Sequence, residues 1–172
     1  MSCRRDRGSL VIVLDPYETT FRSHSEQQTL RLAERLAAVL VPGDVLALEG
    51  ELGTGKTVFV RGIARGLGIL GPLRSPSFVV VSHLKGRLEL FHVDAYRLSE
   101  PEELLQLGFE GILEADGIVA VEWADRVASV LPARRLQIRI VHLDPGRQIQ
   151  IKDLGLNLSQ RPGVEALENP GD

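Results

Sequence analysis

Apolar positions in the first half of the chain switch between helical and strand spacing. Residues 25–40 carry apolar side chains every three or four positions and begin with Ser25 followed by Gln28, a capping-box pattern, which predicts an amphipathic helix. The apolar run at 45–50 is typical of a buried parallel strand. Residues 56–68 predict a second helix that ends at glycines.

The second half continues the alternation. Apolar runs predict strands at 79–84, 87–94 and 117–123, and helical patterns predict helices at 99–108, capped by Ser99, and at 124–131. The stretch 136–154 predicts a hairpin that turns at "DPGR".

This order of elements predicts the fold class. Strands that alternate with helices favour an α/β three-layer sandwich with a mostly parallel central sheet, and the late hairpin adds an antiparallel edge. A further short apolar run, Leu10 to Leu14, is too short for a signal-peptide core and is expected to form an edge strand.

Length and composition suggest one domain. A chain of 172 residues that is 44% hydrophobic buries one core, and we assign it to residues 1–154. Residues 155–172 are rich in Gly, Pro, Asn and Ser without periodicity, which predicts a flexible tail.

Charge, cysteine content and apolar run lengths bear on the ligands and the compartment that we expect for the protein. The net charge of −3 disfavours direct binding of tRNA or DNA. The lone Cys3 allows no intrachain disulfide, which fits a reducing cytosol. No apolar stretch approaches the roughly 20 residues that span a bilayer, so we expect no membrane association.

The segment "GELGTGKT" (50–57) carries the main chemical signal. Gly50, Gly55, Lys56 and Thr57 match the pattern GxxxxGK[ST], in which backbone N–H groups cradle phosphates, the lysine reaches the terminal phosphates and the hydroxyl binds Mg²⁺. A strand pattern precedes the segment and a helix pattern follows it, as a phosphate-binding loop (P-loop) requires. The sequence therefore predicts a P-loop NTPase.

Further residues bear on the nucleotide and its cleavage. No Asn-Lys-x-Asp segment for reading guanine occurs in the chain, which favours ATP. Asp94 and Glu122 end apolar runs and are expected at the carboxyl edge of the sheet, as candidate acids for Mg²⁺ or water or as ordinary strand-end acids. His92 is interpreted as structural, and Trp123 as a core residue more than a nucleotide contact.

Several segments together resemble one family, the bacterial tRNA threonylcarbamoyladenosine biosynthesis ATPase subunit, TsaE. The resemblance covers about Ser25 to Ile151. It is carried by "PGDVLALEGELGTGKTVFVRGIARGLG", "SPSF", "FHVDAYRL", "PEELLQLGF", "VEW" and the "GR" of "DPGRQIQI". Ser77 stands where the family usually has Thr.

The resemblance implies a small ATPase, slow in isolation, that joins a threonylcarbamoyl-transferase subunit and its inactive paralogue. Together they would modify adenosine 37 of tRNAs that read codons starting with A, so tRNA would be reached indirectly. Lys56, Asp94 and Glu122 match the catalytic positions, and Thr57 with Glu122 match those that hold Mg²⁺. The implied nucleotide contacts are Glu26, Glu51, Leu52, Gly53, Thr54, Gly55, Lys56, Thr57, Asp94 and Arg147.

Two other functions remain as alternatives. The first is a small P-loop kinase that acts on a metabolite, although the chain lacks an arginine-rich segment of the kind that closes over a phosphoryl acceptor. In a nucleotide-dependent scaffold, binding alone would matter. Product analysis and hydrolysis-deficient variants separate the three.

Overall fold

The computed structural model describes residues 12–15, 18–71 and 80–168. The strands are β1 (Ile12–Asp15), β2 (Glu18–Ser23), β3 (Val45–Glu49), β4 (Val81–Leu84), β5 (Glu89–Asp94), β6 (Gly117–Glu122), β7 (Arg135–His142) and β8 (Arg147–Leu154). The α-helices are α1 (Glu26–Val39), α2 (Lys56–Gly66), α3 (Pro101–Gln106), α4 (Phe109–Glu114) and α5 (Glu165–Glu168), and 3-10 helices cover Ala124–Val130 and Leu158–Gln160.

All these strands form one mixed sheet in the order β1-β2-β8-β7-β3-β6-β5-β4. The four central strands β7, β3, β6 and β5 are parallel, and their neighbours on both sides pair antiparallel. The predicted parallel centre is confirmed, and β1 is an edge strand as expected. The β7–β8 hairpin supplies the predicted antiparallel side, although β2 and β1 continue the sheet beyond it.

Helices cover both faces of the sheet, which confirms the three-layer prediction. Strand β3 is buried throughout its apolar part because its side chains alternate between two cores. Leu46 and Leu48 pack with α1 and α2, whereas Val45 and Ala47 pack with α3, α4 and the first 3-10 helix. Across the described residues, no helix is long and apolar enough to cross a membrane.

Helices α1 and α2 approach each other through small residues. A Cβ atom added to Gly62 would lie 2.5 Å from the Cβ of Ala33, and one added to Gly66 would lie 2.6 Å from the Cβ of Ala37. Contacts this short exclude a larger side chain unless the helices separate. The close crossing fixes α2, and with it the loop that precedes the helix.

The cap of α1 agrees with the sequence prediction, whereas the cap of α3 differs from it. Ser25 caps α1 as predicted, with its Oγ accepting from the N–H of Gln28 at 3.2 Å. The prediction of Ser99 as a cap was wrong, since Glu100 caps α3 and forms a capping box with Glu103. Pro101 at the first helical position explains the shift, because it disfavours a helical conformation for the residue before it.

The segment after β8 packs against the protein over residues 155–168, contrary to the flexible tail expected from its composition. Leu156, Leu158 and Leu167 are buried in the core cluster that contains α1 and α2. Arg161 forms an ion pair with the buried Asp44 at the start of β3. Residues 169–172 lie outside the described part of the chain.

Candidate nucleotide-binding site

The loop between β3 and α2 lies at the carboxyl end of the central strand β3. Gly50, Gly53 and Gly55 all have positive φ angles, of 143°, 78° and 105°. A Cβ atom on Gly50 would lie 2.2 Å from the carbonyl oxygen of Ile140 in β7. Glycine is therefore required at position 50 both by the backbone angle and by the close approach of the neighbouring strand.

Lys56 begins α2 and turns its side chain back over the loop. Its Nζ donates hydrogen bonds to the carbonyls of Gly50 at 2.6 Å and Glu51 at 2.8 Å, and it lies 3.7 Å from the centre of the Trp123 ring. Burial lowers the pKa of Lys56, and the nearby carboxylates, chiefly that of Glu122, act against this. A buried ammonium with carbonyl and aromatic contacts is suited to an anionic ligand, which would add a full opposite charge.

Thr57, Glu122 and His92 form a chain of hydrogen bonds behind the loop. The Thr57 hydroxyl donates to Glu122 Oε2 at 2.9 Å, and Glu122 Oε1 lies 2.8 Å from His92 Nε2. Glu122 is 2% exposed and His92 is fully buried. The strand β6 thus delivers a desolvated carboxylate to the hydroxyl of the P-loop.

Asp94 ends β5 beside Glu122, with which it is paired in the parallel register. Its Oδ1 accepts a hydrogen bond from the N–H of Tyr96 at 3.0 Å. Burial raises the pKa of Asp94, and the Tyr96 hydrogen bond opposes this as the next largest effect. A half-buried carboxyl group with a raised pKa at a strand end is well placed to accept a proton or orient water.

Trp123 packs partly against the core cluster that contains α3 and α4, as the sequence favoured, and it also contacts Lys56 of the loop. The residue has φ of 57°, a left-handed conformation that is unusual for a bulky side chain and that aims the indole at Lys56. On its other side the indole contacts the ring of Tyr96, with ring centres 4.8 Å apart. Tyr96 is 46% exposed, so this aromatic pair connects the buried lysine with the surface.

The β7–β8 hairpin reaches the loop from the opposite side. Arg147 Nη1 donates to the carbonyl of Thr54 at 3.3 Å and lies 2.3 Å from where a Cβ of Gly55 would be. His142, the register partner of Arg147, has its Nε2 3.5 Å from the carbonyl of Leu52. The sequence analysis did not single out His142, because nothing in the local pattern of a strand end predicts a contact with a loop 90 residues earlier.

Three of the predicted nucleotide contacts, Glu26, Glu51 and Leu52, have exposed side chains. Glu26, at the start of α1, pairs with Arg61 of α2 at 3.2 Å. Glu51 and Leu52 are exposed, with Leu52 73% accessible, while the buried Thr54 hydroxyl donates to the Glu51 carbonyl at 2.9 Å. The "SPSF" segment (75–78) lies outside the described residues.

The oxygen atoms around Thr57 and Glu122 fit a small hard cation. Mg²⁺ prefers hydroxyl, carboxylate, water and phosphate oxygens, and it is commonly held by one or two protein groups together with a substrate phosphate. Within 12–15, 18–71 and 80–168, no group of three or more His, Cys, Asp or Glu side chains is arranged to hold a metal by itself. The Thr57 hydroxyl and the Glu122 carboxylate are of the ligand types that suit Mg²⁺ beside a phosphate.

A glycine-rich loop between a central parallel strand and a helix, with the GxxxxGK[ST] lysine and threonine in place, defines a P-loop protein. A family model described as "Threonylcarbamoyl adenosine biosynthesis protein TsaE" matches residues 23–149. The chain belongs to the TsaE family, and the resemblance noted from its motifs is confirmed.

Individual relatives agree with this assignment. The tRNA threonylcarbamoyladenosine biosynthesis protein TsaE of Bacillus subtilis is 39% identical over 137 residues, which cover 78% of this chain and 85% of the relative. The protein of the same name from Treponema pallidum is 38% identical over 130 residues, covering 75% and 96%. The crystal structure of Bacillus subtilis YdiB superposes with a TM-score of 0.75 at 34% identity, covering 92% of this chain and 96% of that one.

Proposed function

We propose that this protein binds ATP with Mg²⁺ in its P-loop and hydrolyses the γ-phosphate as part of tRNA threonylcarbamoyladenosine biosynthesis. The observation that carries the proposal is the 2.9 Å contact between the Thr57 hydroxyl and the buried Glu122 carboxylate. Two oxygen ligands from different elements meet beside the lysine of the loop, as Mg²⁺-dependent phosphoryl transfer requires. The names of the relatives support the pathway.

Each residue has a defined task in this proposal. Backbone N–H groups of residues 51–57 hold the phosphates at the start of α2, and Lys56 leaves its carbonyl partners to reach the terminal phosphates. Thr57 and Glu122 would hold Mg²⁺, which when bound neutralises charge on the phosphate oxygens. Asp94 orients the attacking water, and Arg147 adds positive charge from the hairpin side.

The proposed partners are the threonylcarbamoyl-transferase subunit and its inactive paralogue, with tRNA reached through them. ATP binding and hydrolysis would switch association with this complex, because the γ-phosphate and its metal order the segments that touch them. Hydrolysis by the isolated chain is expected to be slow if a partner completes the site. A reducing cytosol is the proposed location, since one cysteine requires no oxidising compartment.

The first test separates binding from hydrolysis. We expect Lys56→Ala to lose most nucleotide binding, and Glu122→Gln and Asp94→Asn to bind ATP but hydrolyse it about 100-fold more slowly, as is common when a transition-state contact is removed. Binding is measured with a fluorescent ATP analogue and turnover by phosphate release. Glu89→Gln is the matched control, because Glu89 begins the strand that Asp94 ends and pairs with the exposed His83. Normal hydrolysis by both acid variants would refute the assigned roles.

Two further measurements address the alternatives. Mass analysis of products should find free phosphate and ADP without a phosphorylated metabolite, which excludes the kinase. Capture of the purified transferase subunits with and without a non-hydrolysable ATP analogue tests the switch. Full tRNA modification by Glu122→Gln would favour a scaffold over an ATPase.

A further inference from the structure

His92 is a fully buried polar side chain that the proposed reaction does not use. It lies on β5 two residues before Asp94 and has Ala120 of β6 as its register partner, two residues before Glu122. Its Nε2 lies 2.8 Å from Glu122 Oε1. Among the described residues its other ring nitrogen, Nδ1, is buried without a hydrogen-bond partner.

The contact gives each oxygen of the Glu122 carboxylate a partner. Oε2 accepts from Thr57 and Oε1 lies within hydrogen-bond distance of His92, so both oxygens are held from different elements, α2 and β5. A buried carboxylate with a single partner could rotate about its terminal bond, whereas two partners on opposite oxygens fix the plane of the group. The plane determines where the oxygen next to Thr57 points.

We propose that His92 is a positioning residue that orients Glu122 toward Thr57 and the metal position. The inference rests on the proposed Mg²⁺-dependent ATP hydrolysis and extends it to a residue outside the P-loop. Ligands of metal sites are commonly oriented by such outer hydrogen bonds, and removing one typically costs 10- to 100-fold in metal affinity or activity.

The buried surroundings also assign the ring proton. Glu122 Oε1 needs a donor, so Nε2 carries a proton, whereas a proton on Nδ1 would be buried without an acceptor among the described residues. His92 is therefore the tautomer protonated on Nε2.

Two substitutions at His92 separate positioning from packing. Gln can place an amide N–H near the former Nε2, whereas Leu keeps a similar volume without a donor. We expect His92→Leu to lower kcat 10- to 100-fold with little change in KM, and His92→Gln to recover most of kcat. His83→Leu is the control, since His83 makes an equal 2.8 Å contact with Glu89 on the exposed edge of the sheet. Equal kcat in His92→Leu and wild type, or equal losses in both His92 variants, would overturn the inference.

A second measurement requires no turnover. Trp123 is the only tryptophan and adjoins Glu122, so its fluorescence reports Mg²⁺ addition to the complex with a non-hydrolysable ATP analogue. The half-saturating Mg²⁺ concentration should rise about 10-fold in His92→Leu and stay near wild type in His92→Gln. An unchanged value in His92→Leu would contradict a role in orienting the metal ligand.

A third measurement needs no nucleotide and keeps the two proposals distinguishable. Nitrogen-15 NMR of the four histidines should show one ring protonated only on Nε2, absent in His92→Gln and shifted in Glu122→Gln. A His92 signal protonated on Nδ1, or one unmoved by Glu122→Gln, would refute the inference alone. A wild-type protein that binds no ATP would refute the proposed function while leaving this contact established.

Discussion

Gly50 is a residue at which the P-loop packs tightly against the sheet. Its φ of 143° disfavours any other residue, and a Cβ would lie 2.2 Å from the backbone oxygen of Ile140. Gly50→Ala should therefore combine backbone strain of about 1–2 kcal/mol with overpacking of about 1–3 kcal/mol. We expect the free energy of unfolding, measured in urea, to fall by about 3 kcal/mol, with loss of ATP binding.

Gly43 provides a matched control for this substitution. It also has a positive φ, of 88°, but no atom lies within 4 Å of a Cβ placed there. Gly43→Ala should cost only the backbone strain, about 1 kcal/mol, and leave ATP binding intact. Equal losses in the two variants would show that the contact with β7 contributes nothing.

The residues of the site differ in how far the sequence could predict them. Lys56 and Thr57 were predictable because the phosphate loop is a local pattern, and Asp94 and Glu122 because strand ends converge at one edge of a parallel sheet. The positions of Trp123 and its neighbours depend on contacts between distant segments. A left-handed backbone angle at a tryptophan has no signal in the sequence.

Among the elements, long periodic segments were predicted well and short ones were missed. The pattern of α1 spans four turns, whereas β2 (Glu18–Ser23) lacks an apolar alternation and is held as a strand by pairing with β8. Helix α4 covers only six residues after a left-handed Gly108, and the sequence analysis predicts no element there. Such elements depend on tertiary pairing more than on local preference.

An ion pair between Arg161 and Asp44 helps to attach the segment after β8, and its contribution to stability can be measured. The Arg161 guanidinium donates two hydrogen bonds to Asp44, which is 2% exposed, and also bonds the carbonyls of Val39 and Leu156. Hydrogen bonding to Asp44 raises the pKa of Arg161, so the guanidinium stays charged. Arg161→Leu would leave a buried carboxylate without its cation, and we expect a loss of about 3 kcal/mol in urea unfolding.

The control for Arg161 is an exposed pair on the same side of the sheet. Arg65 lies 3.7 Å from Glu34, and about half of its side chain is accessible. Arg65→Leu should change the free energy of unfolding by at most about 1 kcal/mol, because solvent screens such pairs. If Arg161→Leu were equally mild, residues 155–168 would be attached by their leucines alone.

At the scale of the whole molecule, the proposed site joins one helix with two parts of the sheet. Helix α2 supplies Lys56 and Thr57, the parallel strands supply Asp94 and Glu122, and the antiparallel hairpin supplies Arg147. The composition of residues 155–172 suggested a loose tail because the segment lacks periodicity. An irregular segment can nevertheless pack well against the protein. A ligand that touches three parts of the protein should therefore stabilise the whole fold.

Thermal unfolding measures this coupling directly. A ligand at 100 times its Kd stabilises the native state by about 2.7 kcal/mol, which for a chain of this size corresponds to a rise in Tm of roughly 5–11 °C. We expect MgATP at that excess to produce such a rise in wild type and a similar one in Asp94→Asn, which keeps the cradle and the metal ligands. Lys56→Ala should show almost no rise in Tm at the same concentration, because the terminal phosphates lose their cation.

Two outcomes of this experiment would contradict the proposed site. A full rise in Tm in Lys56→Ala would place the nucleotide away from the loop. A rise in wild type that persists unchanged when EDTA removes Mg²⁺ would show that Thr57 and Glu122 do not bind the metal.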